Sequence, residues 1–330
     1  MAKTAFVTGG TGFLGGHIIR LLREDRWEVV ALHRPSSDPA PLAAMGATPV
    51  AGVMHDADSV TAAMPEHPDA VFHVAGNTSM WKRMNREQTR DNVEGTRALV
   101  SAALARQASR FIHTSSISAW GIQKDPINEE TPSNAANDWI NYNRTKYLAE
   151  QEVRAGIKRG LDAVILNPCG IIGPGDRHNW AQMIMLIDQG KLPGVPPGSG
   201  NFCHVMEVAK AHLSALENGR TGANYILAGV EARFLELART IGFLLGRKAP
   251  RRAIPKPVLL AAGRIYPLLA LFSGKEPDLT PEKVALVTNR VAADGTRAVA
   301  ELGFNAAVPL QQMLSECIDW MRQEGMLSDK

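Results

Sequence analysis

Cysteine is scarce in this sequence, with three in 330 residues: Cys169, Cys203 and Cys317. Their wide spacing and odd number exclude a disulfide framework, and the absence of CxxC and HExxH patterns excludes the common zinc sites. We therefore predict reduced thiols, a cytoplasmic location and no bound metal.

Long apolar runs are also missing. The longest apolar segment, residues 257–272, is interrupted by Arg264 and Pro267, and it falls short of the ~20 residues that span a bilayer. Glycines interrupt the first ten residues before the apolar stretch of a signal peptide could form. The sequence therefore predicts a soluble protein with no membrane partner.

The sequence has no large excess of one charge sign, because it contains 36 basic and 33 acidic side chains. This balance predicts no nucleic-acid partner. The one dense basic run, residues 246–256, has no interleaved aromatic residues on which bases could stack. We therefore interpret it as a solvent-exposed loop. With 45% hydrophobic residues, the chain can bury the core of one large domain or of two lobes.

Short β-branched runs alternate with helical patterns over the first half of the chain. One helical pattern, residues 92–107, repeats its apolar positions every three or four residues. The predicted strands are 4–10, 28–34, 47–52, 69–76, 109–116 and 161–168. Continuous Val, Ile and Phe runs between helices indicate a parallel sheet that is covered on both faces.

The amino-acid composition changes after residue 168. Residues 170–180 and 191–202 are rich in Gly and Pro, which predicts loops. Residues 224–228 are predicted to return as a strand of the sheet, and the chain to about residue 323 is predicted to be mostly helical.

A glycine-rich turn follows the first predicted strand and opens the first helix. Gly10, Gly12 and Gly15 fit GxGxxG, while Gly9, Gly12 and Gly15 fit a looser GxxGxxG. Glycine permits the tight turn and a close approach to a pyrophosphate, and the helix N-terminus presents free N–H groups to it. Such a motif alone could be an ordinary turn, but its strand–turn–helix context favours dinucleotide binding.

The end of the second strand bears on the choice of cofactor. An NAD site places a carboxylate there, and an NADP site places a cation. His33 and Arg34 occupy this position, whereas Asp38 follows only after a proline. We therefore favour NADP(H) and keep NAD(H) as the alternative, in which Arg34 is a solvated turn residue.

An ordered set of motifs resembles the extended short-chain dehydrogenase/reductases, in the branch of dihydroflavonol 4-reductases and 3β-hydroxysteroid dehydrogenases. The motifs are TGGTGFLG (8–15), HVAG (73–76), DNVEGTRALV (91–100), FIHTSSISAWG (111–121), YNRTK (142–146), NPCGIIGPGD (167–176), NFCHVMEVAKAHLSAL (201–216) and VAELGF (299–304).

The resemblance implies an α/β fold, a Rossmann-type doubly wound parallel sheet with a smaller, mostly helical C-terminal substrate lobe. The dinucleotide-binding domain would comprise residues 1–167 with a return segment at about 201–228. The substrate lobe would comprise residues 168–330. The helices at 92–107 and 138–155 resemble those that pair across a two-fold axis in this family, which predicts a homodimer.

The resemblance also implies functional residues. The catalytic residues would be Ser116, Tyr142, Lys146 and Asn92, of which Asn92 would steady the lysine through water. Ser115 is adjacent to Ser116 and is the alternative. The cofactor-binding residues would be Gly9, Gly12, Phe13, Leu14, Gly15, Arg34, Met54, Ala75, Gly76, Tyr142, Lys146 and Pro168. Val53 replaces an aspartate that lies near the adenine in many members, so backbone around Met54 would take over that contact.

Tyr142 and Lys146 are four residues apart and share one face of a helix. Alone, the pair could be solvated surface residues. In a catalytic pair, the Lys146 ammonium and an oxidised nicotinamide would lower the phenol pKa toward neutrality, Tyr142 would exchange a proton with the substrate, and Ser116 would hydrogen-bond the reacting oxygen.

Three functions remain open on this basis. The preferred one is a reductase of ketones or aldehydes, or the reverse alcohol dehydrogenase, because segments 257–272 and 192–203 carry little charge and favour a hydrophobic substrate. A nucleotide-sugar epimerase would use the same catalytic residues. A non-catalytic NADP-sensing regulator would be expected to lack the Tyr–Lys pair.

Overall fold

The central sheet is built from the Val-, Ile- and Phe-rich runs of the sequence. A computed structural model describes residues 2–273 and 276–328, without the side chains of residues 268–273. Its strands are β1 Thr4–Thr8, β2 Glu28–His33, β3 Thr48–Ala51, β4 Ala70–His73, β5 Phe111–Thr114, β6 Ala163–Pro168, β7 Gly170–Ile172, β8 Ser199–His204, β9 Asn224–Leu227 and β10 Val230–Arg233. Seven of them form one sheet in the order β3-β2-β1-β4-β5-β6-β9, and every adjacent pair is parallel.

Helices connect or follow these strands, and several of them cover the two faces of the large sheet. They are α1 Phe13–Glu24, α2 Ala40–Ala44, α3 Ala57–Ala63, α4 Asn85–Thr89, α5 Gly95–Ala105, α6 Asn141–Ile157, α7 Trp180–Asp188, α8 Val205–Asn218, α9 Phe234–Leu245, α10 Lys256–Ser273, α11 Pro281–Val287, α12 Thr296–Leu302 and α13 Leu310–Gln323. A π-helical turn, Arg90–Glu94, leads into α5. Within the described ranges, no helix combines the length and apolar character needed to cross a bilayer.

Strand β1 shows how the sequence creates two buried faces. Ala5 and Val7 point into the core beside α1 and α8, whereas Phe6 points into the core beside α3, α5 and α6. Side chains alternate across a strand, so a continuous apolar run is required wherever helices cover both faces. The six strands predicted in the first half of the chain and the return strand β9 are confirmed.

The prediction of loops at 170–180 and 191–202 is wrong in part. Strands β7 and β8 pair in parallel, and β10 joins β8 in antiparallel register to form a small second sheet. Glycine assists the pairing, because a Cβ at Gly170 would lie 3.0 Å from the Phe202 ring. The hydrogen-bond partners of these short strands lie far away in sequence, so local composition could not reveal them.

The carboxyl ends of β1, β4, β5 and β6 meet at one edge of the large sheet. Beyond that edge, the small sheet packs with α7, α9 and α13 around a separate apolar core. Ligands of open parallel sheets bind at this edge, where the strand order reverses between β1 and β4. The fold therefore directs the search for a site to these strand ends.

Candidate active site

The glycine turn between β1 and α1 lies against the end of β4. Gly9 has a φ of +74°, and a Cβ there would lie 2.6 Å from the backbone nitrogen of Ala75. A Cβ at Gly15 would overlap the carbonyl oxygen of Gly9. No side chain caps the start of α1, where Gly12 precedes Phe13. The turn is therefore a bare backbone cradle that fits dinucleotide phosphates at a helix N-terminus.

The other predicted cofactor residues follow the same edge of the sheet. Arg34 is exposed just after β2, and Met54 lies after β3, where it packs against Gly95 of α5. Gly76 follows β4, and Pro168 is buried at the end of β6. A dinucleotide laid along this edge would extend from β2, its adenosine side, to β5 and β6, its nicotinamide side.

The predicted catalytic residues come together where β5 ends. Tyr142 is in the first turn of α6, and Lys146 is one turn further along the same helix. The Nζ of Lys146 is buried and donates to the carbonyl oxygen of Thr114 at 3.0 Å. Ser116 begins the next turn, accepts a hydrogen bond from the Ser118 N–H at 3.1 Å, and lies beside the Tyr142 phenol.

The structure also distinguishes the two neighbouring serines. The Ser115 hydroxyl points into the protein and donates to Oε1 of Glu150 at 2.5 Å. Successive residues of an extended chain face opposite sides, so Ser116 faces the Tyr142 phenol instead. Ser116, and not Ser115, is positioned to contact a reacting oxygen.

The pKa values of Tyr142 and Lys146, the predicted catalytic pair, are set mainly by burial. Burial raises the pKa of Tyr142, and the hydrogen bond with Ser116 acts in the opposite direction. Burial lowers the pKa of Lys146 to about 8, and the nearby Glu150 carboxylate opposes that change. The lowered phenol pKa that we expected is therefore not a property of the chain alone, and Tyr142 is a neutral phenol at neutral pH.

Asn92 lies in the π-helical turn and connects the loop that follows β4 to α6 through hydrogen bonds. Its Oδ1 accepts from the Asn77 N–H at 2.7 Å, and its Nδ2 donates to the Asn77 carbonyl at 2.9 Å and to Thr145 Oγ1 at 3.1 Å. A Cβ at Gly76 in this loop would lie 3.6 Å from Lys146 Nζ. Asn92 thus fixes the backbone and the helix turn that surround the lysine.

Sequence reasoning missed a buried carboxylate, Glu150, which is one helical turn beyond Lys146 and 5% exposed. Besides Ser115, it accepts hydrogen bonds from Asn167 Nδ2 at 2.7 Å and Asn224 Nδ2 at 3.0 Å. Tyr142, Lys146 and Glu150 are each four residues apart, so they share one face of the helix. This spacing was the sequence signal that could have revealed Glu150. Glu150 joins β5, β6 and β9 to α6 behind the catalytic residues.

Three buried histidines under the site were also missed. His73 hydrogen-bonds Thr8 and Thr96, both at 2.9 Å, and His212 hydrogen-bonds Thr114 at 2.8 Å. Neither ring nitrogen of His113 has a partner among the described residues. Burial lowers the pKa of all three, so they are neutral at neutral pH, and Lys146 is the positive charge in this region.

Comparison with known proteins agrees with this geometry. The sequence model of the NAD dependent epimerase/dehydratase family matches residues 5–228. A Synechocystis sp. protein provisionally named dihydroflavonol 4-reductase is 29% identical, over 98% of this chain and 96% of its own length. A Stigmatella aurantiaca protein, 4-hydroxy-2-methyl-3-oxo-4-farnesyl-3,4-dihydroquinoline-1-oxide ketoreductase, is 30% identical over 97% of this chain and 96% of its own length.

Two solved structures share the fold over almost the whole chain. The crystal structure of gox2253 has a TM-score of 0.85 and 32% identity, covering 99% of this chain and 100% of its own. That of PA4631, a nucleoside-diphosphate-sugar epimerase from Pseudomonas aeruginosa, has a TM-score of 0.80 and 26% identity with the same coverage. Together with the strand-end site, these matches show that the chain belongs to the NAD-dependent epimerase/dehydratase family of extended short-chain dehydrogenase/reductases, as an NAD(P)-dependent oxidoreductase.

Proposed function

We propose that the protein is an NADPH-dependent reductase of ketones or aldehydes on hydrophobic small molecules. The observation that carries this proposal is the mainly apolar surface next to the predicted catalytic residues, which encloses a small cleft of about 30 Å³. Ser118 and Asn143, which neighbour the catalytic Ser116 and Tyr142, line it. Its apolar lining includes Ile117, Ile122, Ile127, Leu286 and Val291, and its polar lining also includes Gln123, Asp125, Asn289 and Arg290.

The charge of this cleft argues against a diphosphate-linked sugar. Its arginine, Arg290, is neutralised by a two-pronged ion pair with Glu231 at 2.6 and 2.8 Å. A diphosphate would require cations that are free to bind it. The lining instead favours an aromatic or alicyclic ring, because burial of apolar surface contributes about 25 cal/mol per Å².

Cations that could serve a nucleotide sugar lie elsewhere. Arg177 and His178 line a separate cleft of about 870 Å³ that begins at the glycine turn and follows α1. Arg177 is also paired with Glu324 and lies over the Trp320 ring at 5.0 Å. Arg247, in the basic run, is paired with Asp188.

The low charge of segment 257–272 favoured a hydrophobic substrate, but the described side chains of this segment do not line the cleft. Val258 is 55% exposed and Ile265 is 54% exposed, both on α10. Residues from α11 onward, Leu286 to Ala292, line the cleft instead. The side chains of residues 268–272 lie outside the described part of the chain.

The site residues account for the proton chemistry of a carbonyl reduction. When bound, the reduced nicotinamide supplies a hydride to the carbonyl carbon. Tyr142, held as a neutral phenol by burial, donates its proton to the carbonyl oxygen. The Ser116 hydroxyl donates a hydrogen bond to the same oxygen, while the Lys146 ammonium stabilises the phenolate left on Tyr142 and would hold the nicotinamide ribose.

The function is tested by following NADPH consumption with aromatic ketones, alicyclic ketones, aldehydes and steroids, beside UDP-hexoses. We expect net NADPH oxidation with at least one apolar carbonyl compound and no reaction of the UDP-hexoses. Epimerisation of a UDP-hexose at C4 without net cofactor consumption would overturn the proposal, since the epimerases of this family use the same residues.

A preference for NADP(H) is supported by the end of β2. Arg34 is exposed and forms no ion pair with any described residue. The carboxylate of Asp38 is turned away to accept the Ala40 N–H at 2.9 Å. The strand end therefore presents a cation, which suits a 2′-phosphate, in the place where an NAD site has an acid.

We expect the protein to bind NADPH more tightly than NADH. Arg34→Ala should lower the affinity for NADPH by roughly 10-fold or more, which is the effect of one charge-assisted contact. Titration of intrinsic fluorescence measures both affinities. Arg159→Ala is the matched control, because Arg159 is equally exposed but precedes β6 at the opposite edge of the sheet. Equal wild-type affinities for the two cofactors would contradict this prediction.

The pKa of Lys146 predicts a pH dependence of cofactor binding. With a pKa of about 8, the ammonium is present below that pH and is lost above it. Since the charged form would hold the nicotinamide ribose, NADPH affinity is expected to fall as the pH rises through about 8. Titrations on both sides of this pH measure the effect, and Lys146→Met should bind more weakly with no such fall. A wild-type affinity that does not change across this range would contradict the assignment.

A further inference from the structure

Helix α10 has an apolar face that the rest of the described chain leaves uncovered. Val258, Ala261, Ala262 and Ile265 follow the i, i+3, i+4, i+7 pattern of one helix stripe. Val258 and Ile265 are 55% and 54% exposed. The helix packs against the protein on an adjacent side. There Leu259 is buried and a Cβ at Gly263 would lie 2.9 Å from Val284 of α11.

The chain around this helix is strongly basic. Residues 237–275 contain eight lysines and arginines and no aspartate or glutamate. The formal charge of the whole chain is +3, so the other residues together carry −5. Arg251 and Arg252 are exposed just before α10, and Lys256 and Arg264 are exposed on the helix itself. The stretch of chain that carries the uncovered apolar stripe is therefore rich in exposed cations.

We propose that α10 and its flanking cations form a docking face for the surface of an anionic phospholipid membrane. An apolar helix face flanked by cations binds at the boundary of headgroups and acyl chains, and lysine and arginine are attracted to anionic headgroups. Such binding needs no spanning segment. It departs from our expectation of no membrane partner, which rested on the absence of a segment long enough to cross the bilayer.

Electrostatic repulsion argues against a dimer in which a second copy of the chain covers this face. In a two-fold dimer the same surface contacts itself. The cations around α10 would then face the identical cations of the other subunit, and like charges in apposition oppose association. A lipid surface supplies both features that this face lacks, apolar chains for the stripe and phosphates for the cations.

The test is cosedimentation of the full-length protein with vesicles of phosphatidylcholine alone or mixed with phosphatidylglycerol. We expect binding to the mixed vesicles, weaker binding to neutral ones, and release at high salt. Ile265→Glu, and separately Arg251→Ala combined with Arg252→Ala, should each reduce binding roughly 10-fold. Val299→Glu is the control, since Val299 is 45% exposed on α12 and should leave binding unchanged.

Failure of the wild-type protein to sediment with anionic vesicles would overturn the proposal. So would equal loss of binding in Ile265→Glu and Val299→Glu. An oligomer detected by light scattering that Ile265→Glu dissociates would also overturn it, because it would identify a second copy as the cover. Vesicle binding is read without turnover, so this result stands apart from the test of carbonyl reduction.

Discussion

Turnover of the Tyr142→Phe variant is expected to fall by about 10²–10⁴-fold, which is the usual contribution of one positioned acid or base. The variant keeps the ring and its packing and removes only the hydroxyl that would protonate the carbonyl oxygen. Cofactor affinity should therefore stay near the wild-type value. Steady-state kinetics with a carbonyl substrate and a fluorescence titration of NADPH measure the two quantities.

Tyr147→Phe is the matched control for this variant. Tyr147 is on the same helix and, like Tyr142, is partly exposed, but it is on a different side of the helix from the Tyr142–Lys146 stripe. Its loss should leave turnover unchanged. Turnover near the wild-type level in Tyr142→Phe would remove the tyrosine from the mechanism.

The second large effect is expected from Glu150→Gln, which should lower the free energy of unfolding by roughly 1–3 kcal/mol, the cost of leaving a buried hydrogen-bonding group without its partner. Glu150 receives three hydrogen bonds through its two oxygens. A glutamine would turn an NH₂ group toward one of these donors and would leave the Lys146 ammonium without its buried counter-charge. Urea denaturation measures the change.

Glu152→Gln provides the comparison on the same helix. Glu152 pairs with Arg97 at 2.7 Å, but the Arg97 side chain is 59% exposed. Loss of a surface pair of this kind costs up to about 1 kcal/mol. An equal loss in the free energy of unfolding in both variants would show that the buried hydrogen bonds of Glu150 do not stabilise the fold more than a surface ion pair does.

The half of the fold that forms the large sheet could be predicted because its information is local. Continuous apolar runs and helix periodicity recur within stretches of six to sixteen residues, and the glycine turn specifies its own geometry. Strands β7 and β8 could not be predicted in this way, because they lie within Gly- and Pro-rich stretches and each is stabilised by a partner far away in the chain. Local composition carried the wrong signal there.

The candidate site shows the same division. Tyr142, Lys146 and Ser116 could be predicted because they occur in motifs, and the structure brings them together at one strand end. Glu150 was missed because its partners come from β5, β6 and β9, three strands that converge only in the folded chain. The direction in which the apolar residues of α10 point could not be predicted for a related reason, since periodicity reveals an apolar stripe but not what it contacts.

The apolar cleft draws its walls from two sources. One wall follows β5 and stands next to Tyr142, and the other comes from the end of α11 and residues 289–292. Under the proposed function, this separates the residues that would select a substrate from those that would react with it. Exchanging residues 286–292 would then be a route to new substrates that leaves Ser116, Tyr142 and Lys146 in place.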